Sequence, residues 1–164
     1  MLGRLIVIDT GWQTVSVVQD LLEVKLGSGQ AGYVLRAKIM QSSEEAAAEA
    51  EELKVSLKKA TGSFTSGSGG GSATVVLASN TLANGLTTTE RNNTTQAVIN
   101  TGTLEEMEVG AFNVLAGEWE VAYTPELMEK GKLGPSECVL LSLEEAPADA
   151  ITMRAIIDLL ITHG

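Results

Sequence analysis

The chain has 164 residues, is 44% apolar and 20% charged, and carries a formal net charge of −10. That length is one domain's worth and buries roughly 70% of its unfolded surface. The composition is too apolar for disorder, and the negative charge disfavours non-specific attachment to nucleic acid or anionic membrane.

In chain order, "MLGRLIVIDTGW" offers one early arginine and the short run "LIVI", too short for a secretory core or a membrane span. Accumulation in a cytoplasm is expected. Residues 1–14 read as an N-terminal arm or edge strand, and residues 15–164 as a single domain. "DLLEVKL" puts Leu22, Val24 and Leu26 on one face, with Glu23 and Lys25 on the other. "GYVLRAKIMQ" groups Tyr33, Leu35, Ala37 and Ile39 opposite Arg36 and Lys38. "ELKVSLKK" groups Leu53, Val55 and Leu57 inside, with Lys54, Ser56 and Lys58 outside. "EWEVAY" groups Trp119, Val121 and Tyr123. Each is the signature of an antiparallel strand with one wet face. Shorter strand signals are "LIVI", "TVSVV", "ATVVLA", "TTQAVI", "EEMEVGAFNV" and "CVLLSL". The C-terminal run 150–162 fits a helix through Met153, Ile156, Ile157 and Leu160. It also fits a strand, and its β-branched residues favour the strand.

"SSEEAAAEAEEL" is the one helix-forming stretch. Ser43 can cap it, but no apolar stripe is long enough to bury, so a helical turn near 43–50 is expected. Strand-like runs recur about every ten residues between Gly, Asn, Ser or Pro, the spacing of a sandwich or barrel. No strand–helix–strand rhythm is present. The expected fold is an all-β antiparallel sandwich, jelly-roll-like.

The glycine-rich stretch 61–72 lacks the Lys-Ser/Thr of a phosphate loop, and no cation lies between Lys59 and Arg91. It is followed by a β-like run rather than by the helix of a dinucleotide fingerprint. Its composition also suits a flexible tether. The reading adopted is a mobile loop inside one domain.

The candidates for chemistry are few. His163, the only histidine, stands one residue from the end of the sequence, poorly placed for a triad or metal pair. Cys138, the only cysteine, has no basic neighbour to activate it and rules out an intrachain disulfide. The acidic clusters match no calcium-loop pattern and read as solvated faces. Trp12, Trp119, Tyr33 and Tyr123 are too scattered to stack bases. Trp119 reads as core, with a carbohydrate shelf as the sharper alternative. No nucleophile elbow is present, so no enzyme activity and no cofactor are expected.

Five stretches, "VQDLLEVKLGSG", "KIMQSSEEAAAEAEELKVSLKKATGSFTSGSGG", "RNNTTQ", "GAFNVLAGEWEVAYTPE" and "LEEAPADAITMRAII", together cover about residues 15–162. In this order they resemble a family of small β-rich proteins of tailed bacteriophages and prophages, carried near virion genes. The C-terminal "IIDLLITHG" departs from the family in being more apolar. The resemblance implies a virion structural protein, made in the host bacterial cytoplasm and located on the capsid surface. It would be a head-decoration (cement) protein that bridges major capsid subunits, commonly as a homotrimer, with no nucleic-acid or membrane partner. The alternative is a tail or fibre module binding a host-surface glycan. Contacts with the capsid or between copies are expected from Leu2, Leu5, Val7 and Trp12 in the N-terminal segment. Others are expected from Phe64, Asn92 and Asn93 in the loops at 61–72 and 80–95.

Overall fold

Apolar side chains on alternate residues need cover on one side only, and two such sheets laid face to face supply it to each other. The computed structural model describes residues 3–42, 51–77, 86–115 and 117–163. Among them are thirteen strands and a short 3₁₀ turn at Pro125–Leu127. The strands are β1 (Arg4–Asp9), β2 (Gln13–Val15), β3 (Gln19–Leu26), β4 (Gln30–Gln41), β5 (Glu52–Thr65), β6 (Gly71–Ser72) and β7 (Thr74–Leu77). They continue with β8 (Leu86–Asn93), β9 (Val98–Asn113), β10 (Glu118–Ala122), β11 (Lys132–Leu133), β12 (Cys138–Leu143) and β13 (Ile151–His163). One sheet runs β10-β4-β13-β1-β7, with β2 beside β13 and β11 beside β4. The other runs β6-β8-β3-β12-β5-β9.

The pairing is nested. β1 pairs with β13, β3 with β12, β4 with β10, and β5 with β9, all antiparallel. The chain is thus one long hairpin folded over on itself, with β1-β13-β4-β10 facing β3-β12-β5-β9. This is the connectivity of a jelly roll, so the all-β sandwich expected from the alternation is the fold observed. The excursion between β5 and β9 adds β7 beside β1 and β8 beside β3, which widens both sheets at the same side.

The core lies between the sheets. Ile6, Ile8, Leu22, Val24, Leu26, Leu53, Val55 and Leu57 are buried in it. So are Ile151, Met153, Ala155, Ile157, Leu159 and Ile161, which makes 151–163 a strand with the predicted parity. Trp119 and Val121 pack against this core beside buried Tyr123.

Several expectations are corrected. Residues 4–9 are neither an arm nor an edge: β1 lies between β13 and β7. In β4 the alternation breaks. Asp158 pairs with Arg36 and Leu159 with Val34, so Leu35 is an extra residue. This bulge buries Gly32 and Val34 and leaves Tyr33 and Leu35 half-buried. β3 is covered on both faces, so Glu23 is buried rather than wet, and Ser56 of β5 is buried too. Residues 61–65 belong to β5 and 71–72 to β6, which leaves only 66–70 between them. The helical turn expected near 43–50 lies outside the described residues.

Candidate functional site

The glycines decide how the chain crosses the outer face of the six-stranded sheet. Gly62 and Gly102 face each other in the β5–β9 ladder, with φ of 79° and 141°. Only glycine adopts these angles readily. Beyond them the ribbon folds over its own sheet. Phe64, Ala97 and Ile99 cover Ala60, Cys138 and Leu140, and Lys25 Nζ lies 4.7 Å from the centre of the Phe64 ring. Lys25 is on β3, two strands away from β5, so the end of the ribbon reaches across β12.

The segments 66–70 and 94–97 continue this flap as a strap tied to the sheet by carboxylates. Gly67 N–H donates to Glu23 Oε2 at 3.0 Å, and Ala97 N–H donates to Asp20 Oδ2 at 2.7 Å. The Ser142 hydroxyl donates to Asp20 Oδ1 at 2.7 Å. The Asn93 amide donates to Glu23 Oε2 at 3.3 Å and to Glu90 Oε2 at 2.9 Å. Ser68 and Thr95 exchange backbone hydrogen bonds of 2.9 and 3.0 Å. A Cβ on Gly70 would lie 1.9 Å from Arg91 O, and one on Gly67 would lie 2.6 Å from Thr95 O. The glycine run, expected as a mobile loop, is a close-packed crossing in which backbone approaches backbone.

Burial raises the carboxyl groups of Asp20 and Glu23 above their ordinary range. Hydrogen bonds to Asp20 from Ala97 and Ser142 oppose the rise. For Glu23, bonds from Ser66 and Gly67 oppose it, while Glu90 and Asp20 add to it. Burial also pushes the Cys138 thiol well up, which leaves it unreactive.

Two clefts flank the strap. The larger, about 360 Å³, is lined by Gln13, Thr14, Gln19, Arg91, Asn92 and Thr94 together with the glycine turn. The smaller, about 280 Å³, holds Glu90 and Asn93 on its wall. Among the described residues, no group of three or more His, Cys, Asp or Glu side chains is placed to hold a metal ion.

The outer face of the other sheet is different in kind. With Ile6 and Ile8 turned to the core, Leu5 and Val7 face outward. Leu5 stands opposite Leu160, and Val7 opposite Val76. Leu5 is 43% and Val76 53% exposed. Trp12, 45% exposed, lies on the turn between β1 and β2, its ring 5.9 Å from the Arg154 guanidinium carbon. Arg154 Nε donates to Asp9 Oδ1 at 2.9 Å, and this bond holds the Asp9 carboxyl below its ordinary range.

The contact residues named from sequence therefore divide. Leu5 and Val7 come together on the outer face, with Trp12 at the neighbouring turn. Phe64 is half-buried under Lys25, and Asn93 is buried on Glu23 and Glu90, so both are engaged within the chain. Asn92, with a left-handed φ of 52°, lines the larger cleft. Leu2 lies outside the described residues. Sequence reasoning missed Val76 and Leu160 on the face, and Gln13, Gln19 and Arg91 in the cleft. The signal for Leu160 was present: "AIIDLLI" is apolar at both parities, so a strand there has to show apolar side chains outward. Comparisons with family models, with curated proteins and with solved structures return no significant match.

Proposed function

We propose that this protein is a non-enzymatic structural component of a tailed-phage virion. In this reading it is a head-decoration protein that sits on the capsid surface as a homotrimer and bridges major capsid subunits. The observation that carries the reading is the apolar outer face formed by Leu5, Val7, Val76 and Leu160. The solvent side of an antiparallel sheet is ordinarily polar, and apolar side chains gathered there mark a surface that a neighbour covers. Charges on the same face are already neutralised within the chain. Arg36 Nε lies 2.9 Å from Asp158, Lys38 Nζ lies 2.7 Å from Glu118, and Arg154 pairs with Asp9. Such a face suits a protein neighbour better than a polyanion. Binding to the assembled shell, and not to free subunits, stabilises the shell by linkage. The resemblance of residues 15–162 to phage proteins supports the same reading.

The glycan-binding alternative loses its aromatic shelf. A Cβ on Gly110 would lie 2.3 Å from Trp119 Nε1, so the indole packs onto the β9 backbone and is not free to stack on a sugar.

The test is the double variant Leu5→Glu, Val76→Glu, both positions being exposed. It is expected to fold with an unchanged melting temperature. It should lose self-association and bind capsids at least about tenfold more weakly in co-sedimentation, since burying the exposed half of each aliphatic side chain contributes about 1 kcal/mol, half of the full-burial value. Unchanged binding by a folded variant removes this face from the proposal.

A further inference from the structure

We infer that the cleft between the glycine turn and β2 binds a small hydroxyl-bearing carboxylate of the sugar-acid kind. Arg91 and Gln19 carry the inference. Arg36 and Arg154 are paired with Asp158 and Asp9, whereas Arg91 has no carboxylate in ion-pair range among the described residues. Its Nη1 donates to the carbonyl of Thr10, which fixes the guanidinium at the cleft wall and leaves its other N–H groups for a ligand. A fixed planar fork of donors suits a carboxylate. Glu90, the neighbouring residue on β8, lines the other cleft, and among the described residues no carboxylate lines this one.

Gln19 is only 2% exposed, yet its Nε2 has no hydrogen-bond partner among the described residues. Buried polar atoms are nearly always paired, and an unpaired amide on a residue that lines a cleft is explained by a group that arrives from outside. An oxygen of the ligand would complete it. The Gln13 and Asn92 amides and the Thr14 and Thr94 hydroxyls line the same space and offer both donors and acceptors for ligand hydroxyls. Among the described residues no aromatic or aliphatic side chain lines the cleft, so recognition rests on hydrogen bonds and the Arg91 charge. The volume of about 360 Å³ lies at the small end of ligand sites, the size for one sugar ring rather than a chain. The site does not depend on whether the protein sits on a virion.

The experiment is a titration of the full chain with glucuronate, glucose and inorganic phosphate in parallel, followed by nuclear magnetic resonance of the Arg and Gln side chains. Glucuronate is expected to bind saturably, to shift the Arg91 and Gln19 signals, and to bind at least tenfold more tightly than glucose. Arg91→Gln should reduce glucuronate affinity at least tenfold. Because Arg91 also holds the Thr10 carbonyl, Gln19→Leu is the companion variant. It removes the unpaired amide, so it should raise the melting temperature while weakening glucuronate binding. Phosphate binding as tight as glucuronate would reduce the cleft to a bare anion site and overturn the proposal. So would the absence of saturable glucuronate binding, or full affinity in the folded Gln19→Leu variant.

Discussion

Glu23 is wholly buried, and its Oε1 has no partner among the described residues. It stands directly opposite Glu90 in the β3–β8 ladder, an arrangement of like charges that weakens a sheet. The Asn93 amide donates to both carboxylates and keeps them in place. Burial, then Glu90 and Asp20, raises the Glu23 carboxyl above its ordinary range, and burial raises Asp20 likewise. A raised native value means that the native state binds the proton more tightly than the unfolded chain. The stabilising contribution is then complete below the unfolded value and is lost as pH rises through the native one. Asp9 has the opposite sign. Its carboxyl is lowered chiefly by the hydrogen bond from Arg154, so its contribution holds above the unfolded value and is lost as pH falls through the native one. Stability should therefore rise as pH is lowered from neutral, then fall once Asp9 protonates. Glu23→Gln should melt a few degrees higher at neutral pH and flatten the neutral-to-acid rise, as read by thermal denaturation across pH. A variant that melts lower with the same slope would show that the ionised carboxylate holds the strap. None of this was legible in "DLLEVKL". Alternation assigns Glu23 to the face away from the core, and that assignment is correct. What alternation cannot carry is that another part of the chain, more than forty residues on by sequence position, lies over that face.

At the scale of elements, Gly62, Gly67, Gly69, Gly70 and Gly102 are steric requirements. A Cβ on Gly102 would lie 1.9 Å from Thr61 O, at a φ of 141°. The oxygen is backbone held in a ladder and cannot swing aside. Gly102→Ala and Gly70→Ala are each expected to cost about 2–4 kcal/mol in urea unfolding. The control is Gly29→Ala, where no described residue comes within 4 Å of the added Cβ. That change is expected to be neutral or stabilising by up to about 1 kcal/mol, because alanine lowers the entropy of the unfolded chain. Equal effects at all three sites would mean that the strap is loose after all. Composition alone reads a glycine run as slack, since a flexible segment and a close backbone crossing ask for the same residue. The alternation itself was a good guide to β5, β10 and β13. It failed at β4, where one bulged residue, Leu35, reverses the parity of the residues before it.

For the whole molecule, the nested pairing makes the two outermost strands structural partners. β1 joins β13 on one side and β7 on the other, and β7 has no other partner among the described residues. Alternation showed which side of each strand is buried, and hence a two-sheet fold, but it holds no information on which strand pairs with which. Residues 1–14 looked detachable for that reason. Deleting residues 1–10 removes Ile6 and Ile8, each fully buried and contributing about 1.5–3 kcal/mol. It also removes a backbone ladder on both flanks and the Thr10 hydroxyl that accepts from Ala155 N–H at 2.8 Å. Against a total stability of about 5–15 kcal/mol for a domain, that loss removes most or all of the margin. The exposed edge of β13 then becomes a template for pairing with another chain. The truncated chain is expected to show no cooperative thermal transition and to elute as aggregates in size-exclusion chromatography. A truncated chain that stays monomeric and melts cooperatively near the full-length temperature would restore the arm. In a test of the proposed capsid contact, loss of binding on truncation would therefore carry no information about contacts, whereas substitutions at exposed Leu5 and Val76, which leave Ile6, Ile8 and the ladder intact, test the surface alone.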